Sequence, residues 1–217
     1  VLRDADPVKT ARKRCRGASF NSGQVCIAPK RIYVHENIYD AFTAAFAEAG
    51  SHTKVGSGLQ EGVTMGPVQN RPQYERVKEL IEASRASGHR FLTGGELPPG
   101  PGYFISPTVV DNPPEDSRIV QEEPFGPIVP LLRYASVDEA VQRANASEYG
   151  LGASVWSSDA EAARAVAARL EAGTVWINCM HLLDPQVPFA GRKQSGLGAE
   201  NGLEGLLEYT TVQAFVG

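Results

Sequence analysis

A chain of 217 residues, of which 42% are hydrophobic, is long enough to bury a substantial core, and its length fits one large domain or two small ones. Its 21 basic and 25 acidic side chains give a formal charge of -4 and form no basic stripe that could neutralise a row of phosphates, so nucleic acid is not expected as a partner. No apolar run approaches the ~20 residues that cross a bilayer, and the first residues lack a signal-peptide pattern, so we expect no membrane association and a cytoplasmic location.

The predicted elements alternate between helical and strand patterns along the whole chain. Asp6 followed by Pro7 is typical of a helix start and predicts a helix over residues 7–18, which ends before a turn at Gly23. Strands are predicted at residues 31–34, 90–93, 104–110, 128–134, 151–156 and 173–177. Further helices are predicted after residue 38, from residue 74 to Gly88, and over residues 136–145 and 159–171.

This alternation indicates βα units and predicts an α/β fold with a largely parallel sheet flanked by helices. Residues 1–205 are expected to form one domain. Residues 208–216 have the pattern of a terminal strand, which needs a partner in its own sheet or in a neighbouring subunit. Residues 206–217 are therefore assigned to an oligomerisation region.

Cys15, Cys26 and Cys179 are an odd number of cysteines and contain no Cys-x-x-Cys pair. This pattern argues against a disulfide framework and against a structural zinc site, so no metal is expected. A cysteine with a special role would act as a free thiol. The chain begins at Val1 without a methionine, and we expect it to have been cut from a longer protein.

Cys26 has the sequence surroundings of a nucleophile. It lies three residues after Gly23, among small or polar neighbours, so that both its sulfur and its own backbone N–H can face a cleft. That arrangement suits a thiol whose attack creates an oxyanion beside the same residue. A free cysteine is more commonly a small buried hydrophobe, and this is the expectation for Cys15 within a helix and Cys179 after a strand.

Three segments resemble motifs of the aldehyde dehydrogenase superfamily, and they follow one another along the chain in the order that the superfamily has. The stretch Phe20–Ala28 resembles the active-site motif in which Gly-Gln-x-Cys carries the catalytic thiol, although Ser19 departs from the usual aromatic or aliphatic residue. Glu122–Pro127 resembles the Glu-x-Phe-Gly-Pro motif. Pro188–Gly196 resembles Pro-Phe-Gly-Gly-x-Lys-x-Ser-Gly, with Ala190 in place of a glycine. The resemblance spans nearly the whole chain.

The resemblance implies a role for each candidate residue. Cys26 would be the catalytic nucleophile, Glu123 would accept hydrogen bonds from the nicotinamide ribose hydroxyls, and Phe125 would pack near the nicotinamide. A carboxylate suits such a task because its two oxygens can accept from two hydroxyl donors. Phe189 would line the substrate channel, with an ordinary buried aromatic as the equal alternative, and Asn178 would hold a loop in place.

The resemblance also implies an open twisted α/β sheet, a homo-oligomer joined through the C-terminal strand, and a reaction. In that reaction an aldehyde becomes a carboxylic acid through a thiohemiacetal and a thioester on Cys26, with NAD or NADP as cofactor. The general-base glutamate, an oxyanion-binding asparagine and the nucleotide-binding fold of the superfamily belong to a region before this sequence. We therefore expect this chain to bind NAD(P) poorly and to be inactive alone.

Two alternatives stay open at the level of sequence. One is a non-redox thiol enzyme, in which Cys26 forms acyl adducts and hydrolyses activated esters without nicotinamide. The other is a non-catalytic interaction module that pairs through the segment 208–216. The sequence does not identify the aldehyde, and it does not distinguish NAD from NADP, because the residues that read the 2′ position of the cofactor lie in the nucleotide-binding fold.

Overall fold

The computed structural model describes residues 1–217, in which helices and strands alternate. The helices are α1 (Pro7–Ser19), α2 (Glu36–Ser51), α3 (Arg71–Ala86), α4 (Arg118–Gln121), α5 (Val137–Asn145), α6 (Ala160–Ala167) and α7 (Gly202–Leu207). The strands are β1 (Ile32–His35), β2 (Arg90–Thr93), β3 (Thr108–Asp111), β4 (Ile128–Tyr134), β5 (Tyr149–Gly150), β6 (Gly152–Val155), β7 (Thr174–Ile177), β8 (Phe189–Ala190), β9 (Arg192–Lys193) and β10 (Ala199–Glu200).

The central sheet has four strands in the order β1-β4-β3-β2. Strands β1 and β3 each pair parallel with β4, and β2 joins the far edge antiparallel to β3. A separate parallel pair is formed by β6 and β7, whereas β5 with β9 and β8 with β10 form two-residue antiparallel pairs. The predicted α/β fold with a largely parallel sheet flanked by helices is confirmed.

Strand β4 lies between two hydrophobic cores, one on each face of the central sheet. Successive side chains of a strand point to opposite faces of its sheet, and a strand buried on both faces carries a continuous apolar run. Val129 and Leu131 accordingly pack in the core formed with α1 and α2, and Ile128 and Leu132 pack in the core formed with α3 and α4. The apolar sequence of residues 128–132 is therefore explained by burial from both sides.

Side-chain caps fix where the helices begin. The carboxylate of Asp6 accepts a hydrogen bond from the backbone N–H of Lys9 at 2.9 Å, and Pro7 occupies the first turn of α1, as predicted. Asn70, Ser136 and Asp159 cap α3, α5 and α6 in the same way. None of the helices combines the length and the apolarity needed to span a lipid bilayer.

The first two residues connect the central sheet with the β6–β7 pair. The amino group of Val1 donates to the carbonyl of Tyr33 at 2.7 Å, and the N–H of Leu2 donates to the carbonyl of Trp156 at 2.8 Å. Backbone pairing at Val1 and Leu2 thus ties the two sheets together.

Residues 208–216 do not form the strand that the sequence predicted. Helix α7 ends at Leu207, a turn follows at residues 208–209, closed by the N–H of Thr210 on the carbonyl of Leu207, and the chain then runs exposed to Gly217 without further backbone hydrogen bonds. A strand needs a neighbouring backbone to satisfy its N–H and C=O groups, and no strand of this chain runs beside these residues. The pairing of this segment with a neighbouring subunit stays a prediction.

Two predicted boundaries also move, for local reasons. The strand predicted from residue 104 begins only at Thr108, after Pro107, which has no N–H to give to a sheet. The helix predicted to residue 171 ends at Ala167. The side chain of Asn145 donates to the carbonyl of Arg169 and accepts from the N–H of Glu171. These side-chain hydrogen bonds replace the backbone bonds that would continue the helix.

Phe42 provides a test of the core between α1, α2 and the sheet. Its side chain is 0% exposed, so we expect Phe42→Ala to lower the free energy of unfolding by about 3–5 kcal/mol through lost burial and the cavity left behind. Urea denaturation measures this change. Leu59→Ala is the control because Leu59 is 98% exposed, and equal losses in the two variants would contradict the described core.

Candidate active site

Cys26 follows a backbone turn of unusual conformation. Residues 20–26, called the thiol turn below, leave α1 through three consecutive left-handed residues, Asn21, Ser22 and Gly23, with φ of 50°, 57° and 72°. For residues other than glycine this conformation is sparsely populated and is retained where the surroundings enforce it. A second turn, closed by the N–H of Ala28 on the carbonyl of Val25 at 3.0 Å, then carries Cys26 on its outer side.

Of the three thiols, that of Cys26 is the exposed one. Cys15 is buried in the core with α2, and burial raises the pKa of its thiol to about 11, with a smaller opposing effect of a hydrogen bond with Ser19. Cys179 is partly buried, and Cys26 is exposed. The backbone N–H of Cys26 donates to no protein acceptor. Cys26 is therefore accessible, and its N–H has no acceptor within the chain.

Gly23 is required at its position for two reasons. Its φ of +72° suits a residue without Cβ, and a Cβ placed there would lie 2.2 Å from the carbonyl oxygen of Gly126. Gly126 is similarly constrained, since a Cβ there would lie 2.3 Å from a methyl group of Val77 on α3. The thiol turn, residues 122–127 and α3 therefore meet in close backbone packing.

Residues 122–127, called the acidic loop below, are held by side chains that donate to four consecutive carbonyls. Arg76 donates to the carbonyl of Glu123 at 3.3 Å, and Gln73 donates to those of Pro124 and Phe125 at 2.8 and 3.0 Å. The carbonyl of Gly126 accepts from Lys30 at 2.7 Å. These bonds hold Phe125 at a φ of 45°, which a bulky residue seldom adopts. The carboxylate of Glu123 forms no ion pair and remains exposed.

The segment that leads into α3 also holds the thiol turn. The hydroxyl of Ser22 donates to the carbonyl of Gly66 at 2.9 Å, and the side-chain oxygen of Gln24 accepts from the N–H of Gln69 at 2.9 Å. Because Gln73 and Arg76 follow on the same helix, one stretch of chain positions both sequence motifs. The sequence carries no local signal for these contacts, since the partners are backbone groups far along the chain.

Lys30 is the other site residue that the sequence reasoning missed. Its amine lies at the junction of the thiol turn and the acidic loop, and burial lowers its pKa to about 7, while the charge of Glu123 opposes this shift. A lysine four residues after the candidate nucleophile was a visible signal. Nothing in the periodicity of the sequence showed that its side chain would turn inward.

Cys26 and Glu123 line one cleft, of about 440 Å³, between the central sheet and the β6–β7 pair. Phe125 and Phe189 are not among its lining residues. Phe125 is half-buried in the acidic loop, and Phe189 is half-buried in β8, where it pairs with Glu200 of β10. The structure thus brings two of the four predicted site residues to one cleft.

The loop after β7 reaches the thiol turn from the other side. Asn178, the residue after β7, accepts from the N–H of Ser157 at 3.0 Å, and the role of holding this loop in place stays a prediction. Beyond it, the ring of His181 lies 5.9 Å from that of Phe20, measured between centroids. Burial lowers the pKa of His181, so its neutral form is favoured beside this aromatic ring.

These features define an α/β domain built around one exposed thiol and an adjacent carboxylate loop. The sequence profile of the aldehyde dehydrogenase family matches residues 1–215, and the chain belongs to this family. The resemblance recognised from the three motifs is therefore confirmed.

Individual relatives agree with this assignment. The chain is 43% identical over 216 residues to the aldehyde dehydrogenase LUC3 of a Fusarium species, with 99% of this chain and 46% of the relative covered. It is 41% identical to the cytosolic aldehyde dehydrogenase 2 of Macroscelides proboscideus, with 98% and 89% covered. An aldehyde dehydrogenase of Bacillus cereus, solved as an NAD+ complex, superposes with a TM-score of 0.94 at 39% identity, with 98% of this chain and 43% of that chain covered. The chain spans less than half the length of most of the relatives it matches.

The thiol turn can be tested by adding one methyl group. Gly23→Ala should destabilise the fold by at least about 1–2 kcal/mol, because it places a side chain in a left-handed conformation and against the Gly126 carbonyl. Thermal unfolding measures the loss. Gly58→Ala is the matched control, since nothing lies within 4 Å of a Cβ at Gly58, and an equal effect of the two substitutions would contradict the described packing.

Proposed function

We propose that this chain is the thiol-bearing catalytic portion of an NAD(P)-dependent aldehyde dehydrogenase, which converts an aldehyde to a carboxylic acid. The observation that carries the proposal is the exposed thiol of Cys26, held on a strained turn in a cleft that it shares with Glu123. Membership in the aldehyde dehydrogenase family supports the reaction class.

In the proposed reaction, the thiolate of Cys26 adds to the carbonyl carbon of the aldehyde, and the π electron pair moves to oxygen. The N–H of Cys26, which donates to no protein acceptor, is available to stabilise this oxyanion. NAD(P), when bound, supplies the acceptor for the hydride that leaves the same carbon. Water then cleaves the thioester on Cys26, so that the acid departs and the thiol is regenerated.

The cleft beside Cys26 offers a nicotinamide cofactor a hydrogen-bond acceptor, Glu123. The carboxylate of Glu123 is exposed, unpaired and on the wall of the cleft, so it can accept hydrogen bonds from two ribose hydroxyls. Phe125 lies two residues further along the same clamped loop, and we propose that it packs near the nicotinamide. A substrate-channel role for Phe189 has weaker support, because this side chain does not line the cleft with Cys26.

Chemical labelling tests the choice of nucleophile. With limiting iodoacetamide, we expect Cys26 to be alkylated first and Cys15 last, because the thiolate reacts and the Cys15 thiol is buried with its pKa raised to about 11. Mass-spectrometric peptide mapping measures the order. The variant Cys26→Ser should remove the fast phase, whereas the control Cys179→Ser should retain it. Faster labelling at Cys15 or Cys179 in the unaltered chain would refute the site assignment.

A turnover assay tests whether the 217-residue chain oxidises aldehydes by itself. We expect the 217-residue chain, mixed with NAD+ or NADP+ and simple aldehydes, to produce little NAD(P)H, because it spans less than half the length of most relatives. Absorbance at 340 nm measures the product. Steady NAD(P)H formation by the chain alone, lost in Cys26→Ser, would support aldehyde oxidation and contradict its dependence on further protein. Hydrolysis of activated esters without NAD(P), lost in the same variant, would favour the non-redox alternative.

A further inference from the structure

Lys30 lies where the thiol turn and the acidic loop meet. Its Nζ donates to the carbonyl oxygen of Gly126 at 2.7 Å, and it lies 2.8 Å from the position that a Cβ on Gly23 would occupy. The amine is therefore packed against the glycine of one motif and bonded to the glycine of the other. Between the segment that carries Cys26 and residues 122–127, this is the one side-chain hydrogen bond.

The other bonds to these two segments come from a different element. Ser22 and Gln24 bond to backbone groups that precede α3, and Gln73 and Arg76 reach the acidic loop from α3 itself. They hold each segment to α3 rather than to the other segment. Beside the backbone packing of Gly23 on Gly126, the side-chain hydrogen bond that links the chain around Cys26 to the acidic loop comes from Lys30.

Burial of this amine is otherwise unfavourable. A lysine is seldom buried without an anionic partner, because the charged form loses its hydration. Burial lowers the pKa of Lys30 to about 7, and the nearby charge of Glu123 offsets only part of this effect. The Nζ has a single protein acceptor, the Gly126 carbonyl. An apolar side chain of similar length would avoid the desolvation but would leave that carbonyl with one bond fewer.

We propose that Lys30 is a positioning residue, which fixes the turn that presents Cys26 relative to the loop that presents Glu123. The reason for such positioning rests on the proposed function. Hydride transfer is efficient only if the thiol and the carboxylate that binds the cofactor keep a constant separation. Lys30 itself touches neither reacting group in this role. It acts through the two glycine backbones.

Hydrogen–deuterium exchange of Lys30→Met tests the connection in the whole chain. Methionine keeps an unbranched side chain that is one heavy atom shorter and removes the donor, so amides in residues 20–26 and in residues 122–127 should both exchange roughly fivefold faster. Lys54→Met is the matched control, because Lys54 also donates to a backbone carbonyl, that of Glu61 at 2.8 Å, but in an exposed loop. The control should alter exchange only around residues 54–62.

A conservative variant separates positioning from general destabilisation. Lys30→Arg retains N–H donors and should restore slow exchange in both segments, and the ratio of alkylation rates of Cys26 and Cys179 should return to that of the unaltered chain. If Lys30→Met leaves either segment unchanged, loosens the whole protein equally, or is not rescued by Lys30→Arg, the proposal is wrong. Hydrogen–deuterium exchange does not require Cys26 to react. An unreactive Cys26 would therefore refute the proposed function, whereas the exchange rates would still test the positioning role of Lys30.

Discussion

The close approach of two backbones, at Gly23 and Gly126, is the constraint on which the site depends. A Cβ at Gly23 would lie 2.2 Å from the Gly126 carbonyl, so the thiol turn can reach the acidic loop only without a side chain there. The left-handed run through Asn21 and Ser22 then directs the chain outward, and Cys26 becomes exposed. The position of the Cys26 sulfur thus depends on the backbone packing of Gly23, three residues earlier in the chain.

The fold supplies rigid supports for this contact. The acidic loop enters β4, which is buried from both faces, and the thiol turn lies between α1 and the edge strand β1. Helix α3 approaches so closely that Val77 would clash with any side chain at position 126. Loops that carry functional groups are commonly positioned by such regular elements, and a strained turn persists where its surroundings hold it in place.

Features that depend on local sequence could be predicted, and features that depend on distant backbone partners could not. The start of α1 follows from Asp6 and Pro7, the existence of strand β4 from the pattern of residues 128–134, and the candidate nucleophile from its motif. The role of Gln73 and the inward turn of Lys30 could not be predicted, because each side chain bonds to a carbonyl about 50 or more residues away.

The C-terminal segment shows the same limit. Residues 208–216 have a strand-like composition, but a strand also needs a neighbour, and composition does not reveal whether one is present. Phe189 illustrates a related limit. Its motif could be recognised, yet its half-buried place in β8 is set by pairing with β10, which short-range patterns do not reveal.

The accessibility of Cys26 has a chemical cost. A sulfur open to an aldehyde is also open to peroxide, which converts a thiolate to sulfenic acid and, on longer exposure, to sulfinic and sulfonic acids that thiols cannot reduce. Cys15, enclosed between α1 and α2, is shielded from the same reagents. During purification in air, damage would therefore accumulate first at Cys26, while the folded core and its spectroscopic signature remain unaltered.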